Sequence, residues 1–226
     1  MISHELKCIF IHIPKTAGTS IECQLGHFEE LTRGVQDHRT LRQIQPIALL
    51  DLVLQNPAYK THYSYPDVVK SCYRQKIKHA ALLSFSQYEV YYKFAFVRNS
   101  WSRAVSWYKN VMRDPIHQKS LNIPATCSFK DFLLKHTDQW ALKSQLFWLL
   151  DSRGNLPYDF IGRFENLEAG FAKVCTDLKI PCKDLPKLLI DSQKSPYPNF
   201  YDEETKSYIA KTYRDEINLF GFKFGE

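Results

Sequence analysis

The twelve residues IFIHIPKTAGTS, 9 to 20, constrain this chain more than any other stretch. Ile9 to Ile13 form a short bulky run that reads as a buried strand. Pro14 stops it, because proline cannot donate to a sheet ladder. A turn of small and hydroxyl residues follows: Lys15, Thr16, Ala17, Gly18, Thr19 and Ser20. Ile21 and Glu22 then resume with helical character. This order of strand, small-residue loop and helix start aims backbone N–H groups and the positive end of a helix dipole at one place. Such a place suits a phosphate or a sulfate. Lys15 adds a mobile point charge, and Thr16, Thr19 and Ser20 add hydroxyl donors. Ala17 costs little there unless its position needs a positive φ. The loop is not a Walker A sequence, which requires G-x-x-x-x-G-K-[ST] with the lysine late. Here the lysine comes first and no glycine precedes it.

A second stretch, FAFVRNSWSRAVSWYKNVMRD at 94 to 114, repeats the strand-to-helix pattern. Phe94 to Val97 read as a buried strand, and Arg98 stands at its carboxyl end, where open α/β sheets place ligand contacts. Asn99 or Ser100 can cap the next helix. Trp101, Ala104, Val105, Tyr108, Val111 and Met112 form one apolar helical face. Ser106 lies on a different face. An arginine at a strand end and a serine on the following helix can converge on one phosphate, the arginine serving as a fork donor.

The two stretches resemble the nucleotide-binding motifs of sulfotransferases that use 3′-phosphoadenosine 5′-phosphosulfate (PAPS). Pro14 to Ser20 resemble the 5′-phosphosulfate loop P-K-T-G-G-T-S of the carbohydrate-type, Golgi-related and bacterial branches, with Ala17 in place of a glycine. Phe94, Phe96, Val97, Arg98, Asn99, Trp101, Arg103, Ser106 and Tyr108 match the 3′-phosphate motif F-x-F-V-R-N-P-W-x-R-x-x-S-x-Y. Ser100 replaces its proline. F-I-G-R-F-E-N-L-E at 160 to 168 and the C-terminal stretch, against the family's Y-x-x-D-x-x-x-F-G-Y-x-F, are also similar to the family. The resemblance implies an α/β, three-layer P-loop-NTPase-like fold with a central, mostly parallel sheet flanked by helices. It implies that Lys15, Thr16, Ala17, Gly18, Thr19 and Ser20 hold the phosphosulfate, with Lys15 also stabilising the leaving group. Arg98 and Ser106 hold the 3′-phosphate, and Lys194 and Ser195 touch the nucleotide from the loop before the last helix. Arg163 and Glu165 are secondary candidates, with a structural ion pair as the competing reading.

An acceptor hydroxyl must lose its proton, so a base is expected. Among the eight histidines, His38 in D-H-R-T fits the family's G-H-x-T, with Asp37 replacing glycine. His79 and His62 are rivals, and His12, inside the first strand, packs or orients the loop. The implied reaction moves a sulfuryl group to an acceptor hydroxyl of a carbohydrate or small molecule and needs no metal. A P-loop-like nucleotide kinase is the enzymatic alternative, weakened by the absence of a Walker lysine position and a Walker B carboxylate. A module that binds the nucleotide without turnover is the other.

The remaining chain fits one domain over residues 1–226, which is enough for a sizeable core. Thr40 and Gln43 form a capping box for a helix from Leu41, interrupted at Pro46 and continued by Ile47 to Leu54. Residues 46–93 read as an insertion on the acceptor side. Helices are expected at 128–136 and 141–151, a strand at Tyr158 to Phe164 with Phe164 in the core, and a helix from about Asn166. A single helix capped near Asp202 leads into an aromatic tail. The net charge of +6 suits an anionic ligand, but no dense Lys/Arg block argues for nucleic acid. No run reaches the length of a membrane span and no secretory leader is visible, which points to a cytoplasmic protein or to one whose membrane anchor lies outside this sequence. The six cysteines hold no C-x-x-C pair. They read as reduced thiols, with Cys175 and Cys182 able to pair only in an oxidising compartment.

Overall fold

A computed structural model describes residues 1–32, 34–46, 83–136, 138–186, 188 and 195–226. The continuation expected at Ile47 to Leu54, the histidines His62 and His79, and Lys194 lie outside these residues. A four-stranded sheet is ordered β1 (Ile2–Ser3), β2 (Cys8–Ile11), β3 (Tyr92–Val97), β4 (Phe160–Arg163). β1 runs antiparallel to β2, while β2, β3 and β4 are parallel. The register pairs Ile11 with Ala95 and Ala95 with Ile161. The three parallel strands therefore end side by side, and the chain leaves each of them on one edge of the molecule.

Alternation along β2 and β3 divides the core. Ile9, Ile11, Ala95 and Val97 face one apolar cluster, and Cys8, Phe10, Phe94 and Phe96 face another. Both faces are thus buried, which is why these strands read as continuous apolar runs. The first cluster is completed by helices α4 (Ser100–Arg113), α6 (Phe129–Lys135), α7 (Gln145–Leu149) and α9 (Glu203–Thr212). The second is completed by α1 (Gly18–Gln24) and α8 (Leu167–Leu178). α2 (Leu41–Ile44) and α3 (Phe85–Val90) lie in the crossover from β2 to β3, α5 (Pro115–Leu121) follows α4, and α10 (Arg214–Phe220) follows α9.

Several expected boundaries move. The first strand ends at Ile11, so His12 and Ile13 belong to the exit rather than to the ladder. The expected helix at 141–151 becomes a 3₁₀ turn at Trp140–Leu142 and the short α7. The C-terminal helix is two helices, α9 and α10, which break at Tyr213. Its buried ring donates a hydrogen bond to the Leu142 carbonyl. Residues 92 and 93, placed at the end of the expected insertion, begin β3. The Thr40–Gln43 capping box is present, and Asn99, Ser128 and Asp202 cap their helices.

A buried carboxylate ties α10 to the middle of the chain. Glu216 on α10 accepts from Ser100 Oγ at 2.7 Å, Ser144 Oγ at 2.7 Å, Gln145 N at 2.5 Å and Gln145 Nε2 at 2.9 Å. Gln145 in turn grips both the amide and the carbonyl of Arg98, at 2.8 Å each. Removing the carboxylate strands several buried donors. Glu216→Ala is therefore expected to cost about 3 kcal/mol, or a Tm fall of about 6–12 °C for a domain of this size. Glu216→Gln should lose less. Thermal melts of the two variants test this, and a Glu216→Ala protein as stable as the parent would contradict it.

Candidate functional site

The exits of β2, β3 and β4 open on one cavity of about 1300 Å³. Lys15, Ala17, Gly18, Thr19 and Ser20 line it, as do His38, Arg98, Ser106 and Ser195. Sequence positions far apart in the chain thus meet on one wall. The volume exceeds that of most small-molecule pockets, leaving room for two reactants.

The loop after β2 is a backbone structure held from behind. Lys15 and Ala17 both adopt the left-handed conformation, with φ of 72° and 65°. The positive φ at Ala17 is the circumstance that favours glycine at that position. Ala17 gives α1 no side-chain cap, so the first amides of that helix face the cavity without one. Gly18 is required by close approach, since a Cβ there would stand 1.9 Å from Cδ2 of His12. Thr16 is fully buried, and its hydroxyl donates to the Ile13 carbonyl at 3.0 Å. Its side chain thus shapes the loop rather than facing the cavity. Thr19 accepts from Gln36 Nε2 at 2.6 Å. Arg103, also buried, clamps the loop by donating to the Pro14 carbonyl at 3.2 Å and to the Ala141 and Lys143 carbonyls.

Arg98 bridges two of the exits. Its Nη1 donates to the Lys15 carbonyl at 3.1 Å, and its Nε donates to Ser102 Oγ at 2.9 Å. Its guanidinium stacks on the Phe164 ring at 3.9 Å. Burial lowers the guanidinium to about 10, so it is still charged at neutral pH. Phe164, expected in the core, lines the cavity instead as the platform beneath this arginine. Ser102 and Asn110 were missed by sequence reasoning, although they sit four residues before and after Ser106 and share its helical face. Lys15 Nζ donates to Asn110 Oδ1 at 3.1 Å. Glu165 accepts the Asn99 amide at 2.8 Å, and Arg163 pairs with Glu226. Arg163 Nε lies 3.8 Å from Glu165 Oε2, and neither residue is among those that line the cavity.

His38 sits beside the loop. Its Nδ1 donates to the His12 carbonyl at 3.1 Å, which leaves Nε2 as the bare nitrogen. Burial, with His12 adding to it, pushes the imidazole down to about 3, so it is neutral at physiological pH. Its ring meets Trp140 edge-on at 5.1 Å, and Trp140 is an exposed wall of the same cavity. Asp37, substituted for the glycine of the related motif, is locked by Arg39, whose Nε lies 2.8 Å from Oδ1. Burial would raise the Asp37 carboxyl, but the N-terminal ammonium, 3.4 Å from Oδ2, and Arg39 hold it well below the usual carboxylate range.

The strand exits of this α/β scaffold thus bring together a lysine loop, a stacked arginine and a histidine. The chain belongs to the sulfotransferase family, whose model matches residues 1–223. Sulfuryl transfer is the chemistry of that family. No curated protein and no solved structure matches the chain. Among the described residues, no group of three or more His, Cys, Asp or Glu side chains could hold a metal ion, and no helix is long and apolar enough to cross a membrane.

The loop geometry carries a direct expectation. Gly18→Ala forces the His12 ring or the loop to move, at a cost of about 1–3 kcal/mol, which is a Tm fall of about 2–12 °C. Ala17→Gly relieves the left-handed strain and loosens the unfolded chain, leaving stability unchanged or raised by up to about 1 kcal/mol. Thermal melts separate the two, and a Gly18→Ala protein at least as stable as Ala17→Gly would refute this picture of the loop.

Proposed function

We propose that the protein transfers a sulfuryl group from PAPS to an acceptor hydroxyl of a carbohydrate or other small molecule. The observation that carries this reading is that Lys15, His38, Arg98 and Ser106, drawn from three separate segments, line one cavity. The residues present fit a phosphorylated, sulfated nucleotide. Two cationic side chains, several hydroxyls and the uncapped first turn of α1 are all anion donors. When bound, the phosphosulfate would supply an electrophilic sulfur, whose bond to the bridging oxygen breaks with the electron pair left on that oxygen.

The chain's own groups then have distinct tasks. Lys15 neutralises the charge that gathers on the bridging oxygen. The loop amides hold the phosphosulfate oxygens, with the Thr19 and Ser20 hydroxyls beside them. Arg98 and Ser106 hold the 3′-phosphate, and Ser195, with Lys194 next to it in sequence, borders the nucleotide. His38 takes the acceptor's proton on Nε2 as the acceptor oxygen closes on sulfur. The reaction needs positioning and charge stabilisation more than covalent help, as in phosphoryl transfer, and no metal enters it. The apolar clusters on both sheet faces support a three-layer, P-loop-like arrangement, and the family match over residues 1–223 supports one catalytic domain.

His38→Ala should lower kcat by a factor of about 10²–10⁴ and leave the affinity for 3′-phosphoadenosine 5′-phosphate within about twofold. Transfer of labelled sulfate from PAPS to a panel of hydroxyl acceptors tests this. Near-normal turnover in the variant would sink the assignment, and a magnesium requirement would favour a kinase.

A further inference from the structure

We propose that Glu22 is a positioning residue for His38, gripping it from two sides with one buried carboxylate. The inference rests on the reading of His38 as the base. Glu22 lies on α1 and is fully buried, a costly place for a carboxylate unless its oxygens are satisfied. Its Oε1 accepts the Asp37 amide at 3.1 Å, which fixes the residue immediately before His38. Its Oε2 lies 3.1 Å from Nδ1 of His12, and neither of these two buried atoms has a hydrogen-bond partner among the described residues. One proton between them, on His12 Nδ1 or on Glu22 Oε2, would satisfy both, and the proposal places it on His12 Nδ1.

His12 carries this hold to His38. Just beyond β2, the His12 ring stacks with Phe10 at 5.9 Å and closes against Gly18 of α1. The His12 and His38 rings lie 4.0 Å apart. The His12 carbonyl fixes the His38 tautomer by accepting its Nδ1–H at 3.1 Å. Glu22 therefore sets the backbone before His38 with one oxygen, and with the other it sets the ring against which His38 packs.

Charge gives the arrangement a second effect. When His38 accepts a proton on Nε2, it keeps its Nδ1–H and becomes a buried imidazolium beside His12. His12, Glu22 and Asp37 are the titratable groups that act on it. Asp37 is already engaged by Arg39. Burial raises the Glu22 carboxyl above its usual range, and in its carboxylate form Glu22 offsets the imidazolium in surroundings of low dielectric.

The test is Glu22→Gln, which keeps an oxygen for the Asp37 amide but presents an uncharged group to His12. Expected are a fall in kcat of about 10–100-fold, the scale seen when a partner behind a ligating or catalytic histidine is removed, and affinity for 3′-phosphoadenosine 5′-phosphate within twofold of wild type. ¹⁵N spectra of the free protein should show His38 losing its uniform Nδ1–H tautomer. An unchanged His38 tautomer with normal kcat, or a kcat loss matched by lost nucleotide affinity, would overturn the proposal. If the variant does not fold, the wild-type spectrum decides. The proposal requires Nδ1–H on both His12 and His38, and an Nε2–H tautomer at His12 refutes it. The spectra need no substrate, so they separate failure of this inference from failure of the sulfuryl-transfer reading.

Discussion

The site depends on the parallel pairing of β2 with β3. Pairing of Ile11 with Ala95 sets the two exits level, so the backbone after Ile11 and the side chain after Val97 emerge next to each other. Arg98 can then donate to the Lys15 carbonyl, a contact between residues 83 positions apart. β4 joins in the same register and delivers Phe164 under the guanidinium. A slip of one residue would turn Arg98 to the other face of the sheet and dismantle the bridge.

Behind the cavity, buried polar groups do what apolar packing cannot, because they fix direction as well as distance. Arg103 pins the Pro14 carbonyl from α4, and Gln145 holds both backbone groups of Arg98. Glu216 holds Gln145 and the start of α4, so α10 braces the cavity although it does not line it. The loop is left with two left-handed residues and a glycine pressed on an imidazole. Such a backbone persists only where its surroundings over-determine it.

Much of this was legible in the chain itself. Pro14 and the small residues after it announced the strand-to-helix loop, and Arg98 after a four-residue apolar run announced a strand-end ligand group. Local signals also placed the caps at Thr40 and Asp202 and narrowed that of α4 to Asn99 or Ser100. The rest depends on long-range pairing that no local pattern encodes. Glu22 looked like an ordinary polar helical residue, and its burial follows from the β1–β2 side of the sheet and the turn at Asp37. Phe164 looked like core because periodicity cannot tell a buried ring from one stacked under a guanidinium. Tyr213 looked helical, yet its hydrogen bond to Leu142 marks a break. Thr16 looked like a ligand donor, but its hydroxyl is spent on the Ile13 carbonyl.

In the proposed function, the loop after β2 and Arg98 form one anion cradle. Calorimetric titration with 3′-phosphoadenosine 5′-phosphate, without metal, tests it most directly in wild type, Lys15→Ala and Arg98→Ala. Each lost charge-assisted contact is worth about 1.5–3 kcal/mol, so micromolar binding should weaken by about 10-fold or more in both variants. Absent binding, or binding that neither substitution changes, would contradict the claim.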